Sequence, residues 1–65
     1  MFEILKKLRE DQGWTQDELA KKASVSRATI IKLESGVETE VKIGTLRALA
    51  SALNRPVSIF FTINI

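Results

Sequence analysis

Three local signals stand close together in the middle of this chain, and they leave few ways to fold it. Thr15-Gln16-Asp17-Glu18 is a capping box, in which the Thr15 hydroxyl and the Glu18 carboxylate satisfy each other's backbone donors at the start of a helix. That helix runs through about Ala23 and carries Leu19, Ala20 and Ala23 as an apolar stripe. Ser24-Val25-Ser26 follows, two locally hydrogen-bonding residues around one apolar residue, which is the pattern of a tight turn with an inward anchor. Ser26 is placed to cap a third helix, and Ser35-Gly36 ends it with Gly36 in the stop position. Two short helices joined by a three-residue turn are the result.

The flanking segments have their own periods. Met1, Ile4, Leu5 and Leu8 follow the i, i+3, i+4, i+7 spacing of a first amphipathic helix, with Gly13 suited to a left-handed exit. A loop is expected from Val37 to about Lys42. A fourth helix then directs Ile43, Leu46, Leu49, Ala50 and Leu53 inward, and Pro56 ends it. Beyond Pro56 the period changes to two. Val57, Ile59, Phe61, Ile63 and Ile65 alternate with Ser58, Phe60, Thr62 and Asn64, a β-branched and aromatic run that reads as a strand.

With 65 residues the chain makes one small domain, which buries only ~60% of its unfolded surface and is marginal alone. It contains no cysteine and no histidine, so no disulfide is available and only carboxylates and carbonyls remain to hold a metal. Without Cys and His the usual make-up of nucleophilic and acid–base sites is missing. Catalysis would have to come from carboxylates, Ser or Lys alone, and no clustered pair suggests it, so neither an enzyme nor a cofactor nor a metal is expected. No apolar run approaches the ~20 residues that span a bilayer, and Met1-Phe2-Glu3 does not begin a signal peptide. A cytoplasmic protein is the expectation.

Net charge is +2, too small an excess to indicate nucleic acid. Its distribution says more. Lys21, Lys22, Arg27 and Lys32 lie in a stretch without an acid, while the rest of the chain is net acidic. That is the footprint of a basic patch on an acidic body.

At about 100° per residue, the third helix turns Ile30 and Leu33 inward and Arg27, Ala28, Ile31, Lys32 and Ser35 outward. An exposed helix with a guanidinium at its start, a methyl-sized gap beside it and an ammonium one turn later suits the major groove of DNA. Ile31 can lie there against a thymine methyl group. The plain alternative is that Arg27 and Lys32 are solvated surface bases. The start of the second helix would face a phosphate, with Gln16 adding a side-chain hydrogen bond, while Thr15 is at least a cap. Glu34 lies about 40° from the inward direction, so its carboxylate needs a partner, and Arg9 on the first helix is the candidate.

Gly13 to Gly36, GWTQDELAKKASVSRATIIKLESG, resembles the helix-turn-helix of the Xre family, which includes the lambdoid phage repressors. The likeness extends from Leu5-Lys6-Lys7-Leu8-Arg9 through Thr45-Leu46 to Leu53. It implies phosphate contacts from Gln16 and Ser35, base contacts from Arg27, Ala28 and Lys32, and an internal ion pair between Arg9 and Glu34. By their placement beside these, Thr15 and Ser26 are expected at phosphates and Ile31 at a base. Two features depart from the family. Ile31 stands where relatives usually carry a polar residue, and Val37-Glu38-Thr39-Glu40 is acidic where relatives are often basic. The tail also differs from phage repressors and is similar to HipB-type antitoxins, whose terminal strands pair across a dimer.

A lone strand leaves backbone donors and acceptors unpaired, so a second copy of the tail would complete it. The alternative is a short final helix or a flap on its own domain. The expected fold is therefore mostly α: a compact four-helix lambda-repressor-like domain over residues 1–56, with a strand over 57–65 pairing antiparallel across a homodimer. Val57, Ile59, Phe60, Phe61, Ile63 and Ile65 would form that contact. The expected function is a sequence-specific DNA-binding transcriptional regulator, a repressor on a pseudo-palindromic operator. The alternative is an antitoxin subunit that binds a toxin protein and represses its own operon.

Overall fold

Phe2 is the residue that anchors the start of the chain, although the apolar spacing pointed to its neighbours. In the computed structural model, which describes residues 2–37 and 41–61, the Phe2 ring is buried and precedes helix α1, Glu3–Asp11. Leu5 and Leu8 line the inner face of α1, and Ile4 packs at its edge. Met1, placed in the same stripe by its spacing, lies outside the described residues. Past Gln12 the chain leaves α1 through Gly13 at φ 74°, in the left-handed region that glycine enters without a Cβ penalty.

The capping box forms as its residue types require. The Glu18 backbone N–H donates to Thr15 Oγ1 at 3.1 Å, and the Thr15 backbone N–H donates to Glu18 Oε1 at 2.9 Å. Helix α2, Gln16–Ala23, turns Leu19, Ala20 and Ala23 into the core. The turn then takes a left-handed residue at Ser24, φ 56°, while Val25 packs against the core and its N–H closes on the Ala20 carbonyl at 3.0 Å. Ser26 caps helix α3, Arg27–Ser35, by accepting from the Thr29 N–H at 3.1 Å. Gly36, φ 79°, ends it.

Helix α4, Ile43–Ala52, buries Leu46, Leu49 and Ala50, and Leu53 completes the stripe just past its end. The inward expectation for Ile43 is corrected: at the first position of α4 it is 51% exposed, because it stands a full turn before the first buried residue of that stripe. α2 is the hub of the molecule and packs on both α3 and α4, while α1 packs on α3. Leu5, Leu19, Ile30, Leu33 and Leu49 meet in the middle with almost no exposed surface.

The strand reading of the tail is corrected over its described part. Val57–Phe61 is a 3₁₀ turn packed on α4, with the Ile59 N–H donating to the Pro56 carbonyl at 3.0 Å. In a 3₁₀ turn residues i and i+3 share a face, so Val57 and Phe60 point the same way. Phe60 is buried to 6% exposure and meets Phe2 edge to face, ring centroids 6.0 Å apart. Phe61 is 54% exposed. The alternation puts Val57 on one side with Phe61 and Phe60 on the other, whereas the turn groups Val57 with Phe60. A strand with no partner has unpaired backbone groups on both sides, whereas a turn closes its own bonds and delivers an aromatic ring to a waiting one. Thr62, Ile63, Asn64 and Ile65 lie outside the described residues, as do Glu38, Thr39 and Glu40 of the acidic loop.

Candidate nucleic-acid interface

The site is built around one buried carboxylate. Glu34 sits on the core-facing edge of α3, and Arg9 reaches it from α1. Arg9 Nε donates to Glu34 Oε2 at 2.7 Å, and Arg9 Nη2 donates to Oε1 at 3.0 Å, a bidentate fork with side chains 10% and 5% exposed. The third guanidinium nitrogen, Nη1, donates to the Trp14 carbonyl at 2.7 Å. The hydrogen bond to Glu34 raises the proton affinity of Arg9 above that of an ordinary arginine. Burial acts against this, and the charges of Glu34 and Glu10 add to it.

Gln16 joins the same carboxylate. Its Nε2 donates to Glu34 Oε1 at 3.1 Å, which ties the first residue of α2 to the last turn of α3. Each expected phosphate contact thus has an internal duty as well. Thr15 and Ser26 cap their helices, and the Ser26 hydroxyl also meets Thr29 Oγ1 at 2.8 Å. Ser35 Oγ donates to the Lys32 carbonyl at 3.1 Å. Gln16 retains one amide N–H beyond its bond to Glu34.

The outward side of α3 is clear of acids. Arg27, Ala28, Ile31, Lys32 and Ser35 are all exposed, while Ile30 and Leu33 are buried. Neither Arg27 nor Lys32 has an ion-pair partner among the described residues. The other two bases of the stretch are engaged: Lys21 lies 3.3 Å from Asp17, and the Lys22 ammonium sits over the Trp14 ring, 4.8 Å from its centroid. An open groove between α1, α2 and α3 is walled by Lys6, Gln16, Ile31 and Ser35, with the Arg9–Glu34 pair also lining it.

Of the expected residues, Arg9, Gln16 and Glu34 come together in one network. Arg27, Ala28, Ile31 and Lys32 share one exposed face, and the caps flank it. Within the expected dimer contact, Phe60 faces the core of its own chain, Val57 and Ile59 are partly buried, and Phe61 is exposed. Ile63 and Ile65 fall outside the described residues. The Gln16–Glu34 bond and the part of the Trp14 carbonyl carry no periodic signature in sequence. A polar side chain facing the last turn of a neighbouring helix is seen once the helices are packed.

Among the described residues no helix is long and apolar enough to cross a membrane. Residues 5–60 match a family model described as helix-turn-helix. A protein of Haloarcula marismortui, named as an HTH-type transcriptional regulatory protein, is 42% identical over 59 residues, which cover 88% of this chain and 18% of that one. The chain thus spans less than a fifth of that relative's length. No solved structure matches it. With the family match running across the capped α2, the three-residue turn and the exposed face of α3, the chain belongs to the Xre-type helix-turn-helix family.

Proposed function

We propose that this chain binds double-stranded DNA sequence-specifically and serves in transcriptional regulation, as a repressor. The observation that carries the reading is the outward face of α3: two cations, Arg27 and Lys32, with no ion-pair partner among the described residues, on a short helix with no acid on its own outward face. Arg27 offers a two-pronged donor to guanine, and Lys32 reaches a guanine or a phosphate. Ala28 leaves the space between them open. The start of α2, where N–H groups and the helix dipole favour an anion, meets the phosphates, with Thr15, Gln16, Ser26 and Ser35 as the polar contacts. Occupying a promoter excludes polymerase without chemistry or a cofactor.

A homodimer on a pseudo-palindromic operator, with half-sites about 34 Å apart, completes the proposal. Two weak half-sites then act as one through a raised effective concentration. Phe61, apolar and exposed at the end of the 3₁₀ turn, supports a contact between copies near the C-terminal end. The antitoxin reading rested on a terminal strand together with Gly13-Trp14-Thr15-Gln16 and Glu18-Leu19-Ala20-Lys21-Lys22. The described part of the tail, residues 57–61, is a turn and lends that strand no support, so the regulator reading is the one favoured.

A salt titration of duplex affinity tests it. Binding to an enriched site is expected to fall steeply with salt and to exceed binding to random duplex by ~10³ or more. A flat response at random-duplex affinity overturns the proposal.

A further inference from the structure

We propose that Ile31 reads the C5-methyl group of a thymine, and that each half-site carries this thymine close to the guanine faced by Arg27. The inference rests on the DNA-binding reading above and adds a specificity determinant to it.

Ile31 is one of four large apolar side chains left exposed among the described residues, with 41% of its surface in solvent. The other three, Val37, Ile43 and Phe61, lie past the end of α3, at the start of α4 and at the end of the 3₁₀ turn. Ile31 alone stands on the outward face of α3, one turn after Arg27 and beside Lys32. It has no hydrogen-bonding atom. Its branched Cβ also holds χ1 to essentially one helical rotamer, so it presents a fixed apolar surface rather than an adaptable one.

The major groove displays one apolar group, the thymine methyl, and polar edges elsewhere. Against a thymine, Ile31 removes apolar surface from water on both partners. Against a G·C pair, the same side chain would strip water from the cytosine amino or guanine carbonyl edge and return no hydrogen bond. Discrimination therefore comes from both attraction and exclusion. Ala28, three residues earlier on the neighbouring row of the same face, leaves room for the methyl beside Ile31. Four residues of helix advance about 6 Å, close to two base-pair steps of about 3.4 Å. The thymine should accordingly lie within about two steps of the guanine.

The test starts by selecting duplexes from a random pool with the intact chain, then replacing each thymine of the recovered site by uracil, which removes the methyl alone. One position is expected to cost the unaltered chain about fourfold in affinity for each half-site, the value of one buried methyl-sized group. Ile31→Asn, which puts a polar amide in that place, should bind thymine and uracil versions of that position equally, and Ile31→Ala should show a smaller difference than the unaltered chain. A site indifferent to uracil at every position overturns the methyl contact and leaves the DNA reading intact, as does a uracil penalty undiminished in both variants. A pool that yields no enriched sequence overturns the DNA reading, and this inference with it.

Discussion

Arg9 and Glu34, 25 residues apart in the chain, clasp each other through two N–H···O bonds of 2.7 and 3.0 Å, and Gln16 donates a third to the same carboxylate at 3.1 Å. The pair braces α1 against α3 and simultaneously orients the first residue of α2. Stability and the proposed phosphate contact thus share one group. Removing one member of a buried pair leaves the other charge uncompensated, which costs about 3–5 kcal/mol. Glu34→Ala should therefore lower the melting temperature by well over 10 °C, at about 4–8 °C per kcal/mol for a domain of this size. Arg9→Leu combined with Glu34→Leu should recover part of the loss, which thermal unfolding of the single and double variants will measure. Base preference of any remaining binding should be unchanged in Glu34→Gln.

The same pair predicts the pH response. Arg9 holds its proton more tightly folded than unfolded, so its contribution is complete below the ordinary arginine range and is lost only as pH rises through the raised value. The sequence has no histidine, cysteine or tyrosine to titrate nearer neutrality. Melting temperature should stay nearly constant between about pH 6 and 9. A steep drop inside that window would show a titrating group elsewhere in control.

Base and phosphate contacts separate by substitution. Arg27→Ala or Lys32→Ala should each cost about 1–3 kcal/mol and relax preference at one position, if that side chain reads a base. Gln16→Ala should weaken every duplex alike. Both cations are exposed, so their loss should move stability by no more than about 0.5 kcal/mol. Unchanged affinity after losing both would contradict the placement of α3 in the groove.

The two phenylalanines of the tail should behave oppositely. Phe60→Ala removes a ring seated on Phe2 and should cost about 3–5 kcal/mol in a denaturant melt. Phe61→Ser should leave the isolated fold nearly as stable, and sedimentation should show it shifting the proposed dimer toward monomer. A larger loss of stability from Phe61→Ser than from Phe60→Ala would favour an alternating strand instead.

Ser24 holds a left-handed backbone at φ 56° with its side chain exposed. Ser24→Gly relieves the Cβ crowding at this helix exit, partly offset by the freedom glycine gains when unfolded. A net stabilisation of about 0.5 kcal/mol is expected in urea melts. A loss of stability would mean the Ser24 side chain holds the turn.

Local chemistry made most of this molecule legible in its residues. The Thr15–Glu18 box, the Ser26 cap and the glycines at 13 and 36 act within a turn of where they sit, so their geometry follows from residue type and spacing. The period of 3.6 likewise assigned Leu19, Ile30, Leu33 and Leu49 to the interior. Ile43 had the right period and the wrong depth, because periodicity gives a direction around a helix and says nothing of where the core stops. The tail was harder still: a short apolar run fits a strand's alternation and a 3₁₀ turn's three-residue spacing equally well.

What the residues determined unaided was the four α-helices, the side-chain caps of α2 and α3 and most of the face each helix buries, since these depend on interactions spanning a few positions. Packing decided the rest. Whether Phe60 or Phe61 turned inward depended on Phe2 being held at the far end of the chain, and the sharing of Glu34 between Arg9 and Gln16 depended on three helices meeting at one point. Such contacts join positions many residues apart, so their energy exists only once the chain has closed on itself.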